Sequence, residues 1–403
     1  MNTVLLNHGN VVIDDDLLPD HAVVCRGERI ESVLPSDSVN PGHFDEVVDV
    51  AGDYVAPGFI DLHIHGTRNS LIDKGLNHLE ALCSILPRYG VTAFLPTVTP
   101  ANNPHEDRSL LEELSGVESR GSEVLGFFLE GHFLALTGSI PRLSADRSDV
   151  YIESLQKAAT PYDLVFGVSP ELEGVAGLIP SMVRQGYPAF ITHTMATVER
   201  TQDAIRAGAR HATHFYDVFP YIGDAEAGVR GCGAVEAILA DSSVSVDFIL
   251  DGEHVHPVAV EMASACKAPD KVVLITDANA NAGLPPGTYK GIGGHDIVVS
   301  YPGGPARLAG RDLPVDLQGG LSGSGLTMDL VVRNAVRLLK RSLPQAVAMA
   351  SANPARVLGL DHRKGCVQPG YDADLVTLDQ DLFVTSCWSR GESVFPEARG
   401  DFG

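Results

Sequence analysis

From residue 54 to about residue 360 the chain repeats one unit: a run of apolar and β-branched residues, then a helix-length stretch whose apolar positions recur every three or four residues. The runs fall at 58–65, 93–97, 124–130, 164–169, 189–193, 212–215, 244–250 and 272–276. Stretches such as 197–207 and 233–240 read as the helices between them, and 326–341 and 344–358 as further helices of an outer ring. Eight such units predict an α/β fold, a (β/α)8 barrel. A doubly wound open sheet is the alternative, but no nucleotide-binding glycine fingerprint follows the first run.

The flanks have another rhythm. Short strands at 3–6, 11–13, 22–25, 30–33 and 47–50 are separated by turn-forming residues, and near the other end a turn leads into the apolar stretch Ala373-Asp-Leu-Val-Thr-Leu378. Both ends are expected to build one small β-sandwich domain, 1–55 plus 361–403, around an inserted barrel, 56–360.

The formal charge of −23 works against nucleic acid and anionic membranes as partners, and no Lys/Arg run offers a local exception. It favours a neutral or cationic small molecule. The start lacks the basic flank and apolar stretch of a signal peptide, and no apolar run reaches membrane-spanning length, so a cytoplasmic protein is expected. Six dispersed cysteines without a Cys-x-x-Cys pair indicate neither a thiolate zinc site nor a disulfide framework.

Chemistry-bearing residues stand where the apolar runs stop. His63 and His65 end the first run, Glu130 the third, His193 the fifth, His214 lies in the sixth and Asp277 follows the eighth. A lone histidine is usually a surface or hydrogen-bonded side chain. Six ligand-type residues at strand ends of one polarity are different, because a barrel gathers its strand ends around one mouth. Neutral imidazole is a common ligand of zinc or iron, and the two oxygens of Glu130 suit it to bridging two cations.

The chain resembles the amidohydrolase superfamily, and within it the N-acetylglucosamine-6-phosphate deacetylase branch. The resemblance is carried by Ala56-Pro-Gly-Phe-Ile-Asp-Leu-His-Ile-His-Gly66, Leu129-Glu-Gly131, His193-Thr-Met-Ala-Thr197, Ala212-Thr-His-Phe-Tyr216, Asp251-Gly-Glu-His-Val255, Leu274-Ile-Thr-Asp-Ala278 and Gly323-Ser-Gly-Leu-Thr-Met328. It implies that His63, His65, Glu130 and Asp277 hold one divalent metal, zinc or iron, and that Glu130, His193 and His214 hold a second. It further implies Asp277 as the catalytic proton shuttle, His254 as a substrate contact, and a homo-oligomer, dimer or tetramer. The reaction expected is hydrolysis of an N-acyl amine.

Departures from the branch pattern gather on the substrate side. Leu-Glu-Gly-Pro reads Leu-Glu-Gly-His132, a Lys-Gly-Ala-His element is replaced by Leu136-Thr-Gly-Ser-Ile140, and Asp217 stands where the pattern has an amide. The Arg-Glu-Pro-Gly element becomes Ala225-Glu-Ala-Gly228, which removes a bidentate grip on phosphate. Asp217, His132, Arg230 and Arg142 are therefore expected substrate contacts, with Arg230 or Arg142 able to replace the missing cation. The expected substrate is an N-acyl amino sugar or related amine without a phosphate. A phosphorylated sugar, a cyclic amide or N-acyl amino acid, a nucleobase (deamination) and a non-catalytic scaffold are the competing readings.

Overall fold

The computed structural model describes residues 2–140, 143–144, 146–310 and 317–396. Eight parallel strands follow one another around a barrel: Phe59–Ile64, Val91–Val98, Phe127–Phe133, Leu164–Val168, Ala189–Ile191, Ala209–Ala212, Ser245–Ile249 and Val272–Ile275. Each pairs with the next in sequence, and the eighth returns to the first through a parallel bridge between Ile64 and Ala278. Asp277 N donates to His63 O at 2.8 Å and His65 N to Ala278 O at 3.0 Å, which draws the first and last strand ends together. Most of these strands are buried along their whole length, because side chains fill the interior while helices cover the outside. The continuous apolar runs follow from that double burial.

Two buried carboxylates sit inside these apolar strands. Asp61 accepts from Thr276 Oγ1 at 2.5 Å and Thr276 N at 3.2 Å, pinning the first strand to the eighth. Asp247 accepts from His214 N at 2.5 Å and lies 2.7 Å from His211 Nε2, fixing the bend after the sixth strand. Full burial pushes the Asp61 carboxyl up to about 7 against these hydrogen bonds.

The helices start on identifiable caps. Thr197 Oγ1 accepts from Arg200 N ahead of Val198–Ala207, and Ser342 forms a capping box with Gln345 ahead of Leu343–Ala350. The expected helix 344–358 is two, Leu343–Ala350 and Ala352–Val357, broken at Ser351. Pro354 follows the break and has no N–H to continue the ladder.

The two ends of the chain meet in one mostly antiparallel sheet of eight strands. Tyr54–Pro57, the strand before the barrel, pairs with Leu375–Leu378 from the tail. Thr3–Ile13 runs as a single irregular strand where two short ones were expected, bending near His8, whose φ is 58°. A buried ion network ties this sheet to the barrel. Lys364 Nζ lies 2.6 Å from Glu123, 2.5 Å from Asp374 and 3.1 Å from Asp372, while Arg363 and Arg29 also reach Asp372. Glu123, Asp372 and Asp374 stand close enough to hold a cation, but these three side-chain cations already neutralise them.

A four-stranded antiparallel sheet, Gly287–Lys290, Asp296–Val299, Pro305–Ala309 and Leu321–Ser324, follows the eighth barrel strand. It was not expected from the residue pattern. Its last strand joins the barrel rim through a parallel bridge between Ala278 and Ser324, which carries the insertion over the mouth.

Candidate active site

The strand ends bring six ligand-type side chains together. His63 Nε2 and His65 Nε2 are 3.3 Å apart, each is 3.2–3.4 Å from Glu130 Oε2, and each is 3.3–3.5 Å from Asp277 Oδ1. On the other oxygen of Glu130, His193 Nε2 stands at 3.2 Å and His214 Nε2 at 3.0 Å. Four donor atoms set about 2.0–2.1 Å from one ion in a tetrahedron stand about 3.4 Å from one another. His63 and His65 have that spacing from each other, from Glu130 and from Asp277.

Three of the four imidazoles are also held in a ligating state. His63 Nδ1 lies 2.9 Å from Thr213 Oγ1, His193 Nδ1 donates to Leu136 O at 2.9 Å, and His214 Nδ1 donates to Asp217 O at 3.2 Å. A proton kept on Nδ1 leaves Nε2 with a bare lone pair directed at Glu130. Bare nitrogens facing carboxylate oxygens repel unless a proton or a cation lies between them. Burial disfavours charge on His65 and His214, yet the hydrogen bonds that His65 donates to Asp277 and Glu130, and His214 to Glu130, push both up to about 10. The same negative field suits a divalent cation, so the donor set fits one.

Backbone geometry aims these groups. His193, His214 and Asp277 take left-handed φ values of 49°, 35° and 45°, each just beyond its strand. Such a conformation costs a non-glycine residue of order 1–3 kcal/mol and is typical of positioned functional residues. Two glycines give room: a Cβ at Gly138 would come within 2.8 Å of the His193 ring, and one at Gly323 within 2.6 Å of Asp277 O.

Glu130 was expected at the end of its strand, but the strand continues to Phe133. Its register breaks between Leu129 and Phe133, where Gly131 has φ +112°, and this irregularity puts Glu130 at the mouth. Burial opposes ionisation of Glu130 and Asp277, but the surrounding imidazoles, His63 foremost, hold both carboxyls below the ordinary range.

Five of the six side chains, all but the fully buried His63, open into a cavity of about 280 Å³. Asp217 and Val218 form one wall with Gly138, Ser139 and Ile140, while Ile292, Leu308, Leu317 and Leu321 of the inserted sheet form the cover. Among the described residues no lysine or arginine lines it. A larger cleft of about 530 Å³, between the terminal sheet and the base of the barrel, includes Asp14, Arg341 and Arg356 but none of the six ligand-type residues. The smaller cavity is the candidate active site because the ligating atoms are there.

Three expected substrate contacts need separate treatment. His132 is turned away from the cavity into a buried cluster, 3.7 Å from Asp107, whose carboxylate also accepts from Tyr151 Oη. The irregularity at Gly131 sends Glu130 and His132 to different places. Arg230 does not line the cavity either: it is exposed on the Asp224–Glu226/Val229–Arg230 hairpin and bonds Glu236 at 2.9 Å, the residue that caps the next helix. Arg142 lies outside the described residues.

Asp217 does line the cavity. His254 is buried with Nδ1 donating to Asp251 at 2.6 Å, while its buried Nε2 has no hydrogen-bond partner among the described residues. Residue-type reasoning missed Thr213, Asp247 and the apolar cover. The only early signal was a carboxylate inside an apolar strand, at Asp247 and Asp61.

Residues 189–395 match the model of the amidohydrolase family. An N-acetylgalactosamine-6-phosphate deacetylase from Escherichia coli O157:H7 is 32% identical over 97% of this chain and 99% of its own length. An N-acetylglucosamine-6-phosphate deacetylase from Bacillus subtilis (strain 168) is 30% identical over 99% of both. Among solved structures, an N-acetyl-D-glucosamine-6-phosphate deacetylase from Mycobacterium smegmatis, in complex with N-acetyl-D-glucosamine-6-phosphate, superposes with a TM-score of 0.84 at 29% identity, covering 98% of this chain and all of the other. Ligand-type side chains at the barrel mouth and full-length likeness to these enzymes lead to one conclusion: the chain belongs to the amidohydrolase family, in its N-acetylglucosamine-6-phosphate deacetylase-like branch, and is a metal-dependent hydrolase of carbon–nitrogen bonds.

Proposed function

We propose that this enzyme removes the acyl group, acetyl in the first instance, from an N-acylated amino sugar, with two divalent cations, zinc or iron, that Glu130 and its neighbours would hold. The observation that supports this best is the placement of imidazoles on both oxygens of Glu130, with Asp277 beside one group and exposed to the cavity. His63, His65, Glu130 and Asp277 would hold one ion, and Glu130, His193 and His214 the other. Cations bound there supply Lewis acidity toward the amide carbonyl and a more acidic water at neutral pH.

The protein's own residues do the rest. Thr213 and the carbonyls of Leu136 and Asp217 keep the imidazoles in their ligating tautomer. Asp277, held ionised, accepts a proton from the attacking water and delivers it to the departing nitrogen, which is otherwise a poor leaving group. The inserted sheet lays Ile292, Leu308 and Leu317 over the site and limits bulk water. We also expect the enzyme to work as a cytoplasmic homo-oligomer, which light scattering on purified protein tests in part.

Both of these bacterial relatives are deacetylases of 6-phosphorylated sugars by name. A cavity wall with Asp217 and, among the described residues, no cation favours the unphosphorylated sugar here. The test is acetate release by zinc- or iron-loaded enzyme from N-acetylglucosamine and N-acetylgalactosamine, each beside its 6-phosphate. Turnover of the free sugars supports the reading. Turnover of the phosphates alone returns the enzyme to the substrate class of its relatives, and no acetate from any of the four overturns the assignment.

A further inference from the structure

Asp217 presents a carboxylate to the cavity, and no hydrogen bond or ion pair to its side chain is recorded among the described residues. It is not loosely held. Its carbonyl accepts from His214 Nδ1 at 3.2 Å, its N–H donates to His214 O at 2.9 Å, and Val218 O accepts from Thr194 N at 3.1 Å. Tyr216 and Val218 on either side take left-handed φ values of 78° and 53°. A bulky residue in that region is strained, and two flanking one carboxylate mean that the fold sacrifices backbone comfort to aim it.

The second unfilled group is His254 Nε2, buried and without a partner, on a ring whose other nitrogen is fixed by Asp251. His254 lies in the loop that follows the seventh barrel strand, at the end of the barrel where the ligand-type residues gather. A buried polar atom left unpaired costs about 1–3 kcal/mol, so His254 Nε2 calls for a ligand that completes it.

We propose that Asp217 is the specificity-determining residue of this site, reading a hydrogen-bond donor on the 6-substituent of the substrate, a free hydroxyl that Asp217 accepts from and that also pairs with His254 Nε2. The inference rests on the proposed amino-sugar reading and deepens it. A hydroxyl gives its one hydrogen to the carboxylate and accepts on its oxygen from a protonated His254 Nε2, so it completes both groups at once. A phosphate offers only acceptors at its ionised oxygens and meets the carboxylate with like charge. An ammonium in the same place satisfies Asp217 still better.

The test uses metal-loaded wild-type enzyme and Asp217→Asn with N-acetylglucosamine and its 6-deoxy, 6-amino-6-deoxy and 6-phosphate analogues. Bound metal is quantified in both proteins as the control for folding. Wild type should prefer the 6-hydroxyl and 6-amino sugars over the 6-deoxy sugar by at least about tenfold in kcat/KM, since a site built to bond a hydroxyl rejects the analogue lacking it. In Asp217→Asn the 6-amino advantage should vanish and the ratio of 6-phosphate to 6-hydroxyl turnover should rise at least about 100-fold, mostly through KM. A metal-replete Asp217→Asn enzyme with ratios within about threefold of wild type overturns the role of Asp217 while leaving deacetylation intact. A wild type that releases acetate from none of the four overturns the substrate reading and this inference together.

Discussion

Replacing Thr213 with valine isolates the hydrogen bond that holds His63 in its ligating state. Thr213 is fully buried at the end of the sixth strand, and its Oγ1 lies 2.9 Å from His63 Nδ1. Valine keeps the branched shape, so packing changes little, but the acceptor is gone. The Nδ1–H is then left unpaired in a dry site, at about 1–3 kcal/mol. The imidazole recovers part of that by moving its proton to Nε2, where Glu130 Oε2 and Asp277 Oδ1 accept at 3.4 Å and 3.5 Å. A metal must displace that proton before it binds. The loss in metal affinity should therefore be 10–100-fold, or about 1.4–2.7 kcal/mol, the range found when such outer-shell partners are removed. Competition with a chromophoric chelator measures it directly, and Thr213→Ser, which keeps the hydroxyl, should stay within about threefold of wild type. A folded Thr213→Val protein with wild-type affinity would refute the tautomer reasoning.

Three other outcomes follow from the same geometry. Asp277→Asn should retain most bound metal, through His63, His65 and Glu130, and lose turnover by about 10²–10⁴-fold, as steady-state acetate release would show; near-normal turnover would remove Asp277 as proton carrier. The metal-free site keeps protons on His65 and His214, both raised to about 10, so their stabilising contribution is complete below about pH 6.5 and is lost as pH rises through 10. Metal loading near pH 7 must expel these protons, and titration calorimetry in buffers of different ionisation enthalpy should show one to two released; release of none would contradict the convergent geometry. Lys364→Met should lower the unfolding free energy by about 3–5 kcal/mol in urea, because it strands Glu123, Asp372 and Asp374 in a buried site, and a loss under about 1 kcal/mol would show that Arg363 and Arg29 suffice.

The barrel was legible because strands buried on both faces write themselves as apolar runs. Five of the ligand-type residues stand out because such a run stops at a histidine or aspartate, as Ala-Phe-Ile-Thr stops at His193. Glu130 was visible for a reason only half correct: the strand continues past it, and Gly131 supplies the break. His132 and Arg230 show where residue type runs out. Each has suitable chemistry near the site in sequence, but direction depends on a local irregularity for one and on a partner, Glu236, for the other. The inserted sheet stayed hidden because its strands are four or five residues long and only part of each is buried, so its pattern does not stand out from loop. Thr213 and Asp247 carry no signal of position as letters. Their importance comes from what the closed barrel sets beside them.

The central claim is a pair of divalent cations bridged by Glu130 at the barrel mouth. Anomalous diffraction at the zinc edge, from crystals of zinc-loaded protein, tests it most directly. Two peaks are expected within bonding distance of Glu130, one also ligated by His63, His65 and Asp277 and the other by His193 and His214. A single peak, or strong peaks remote from Glu130, would contradict it.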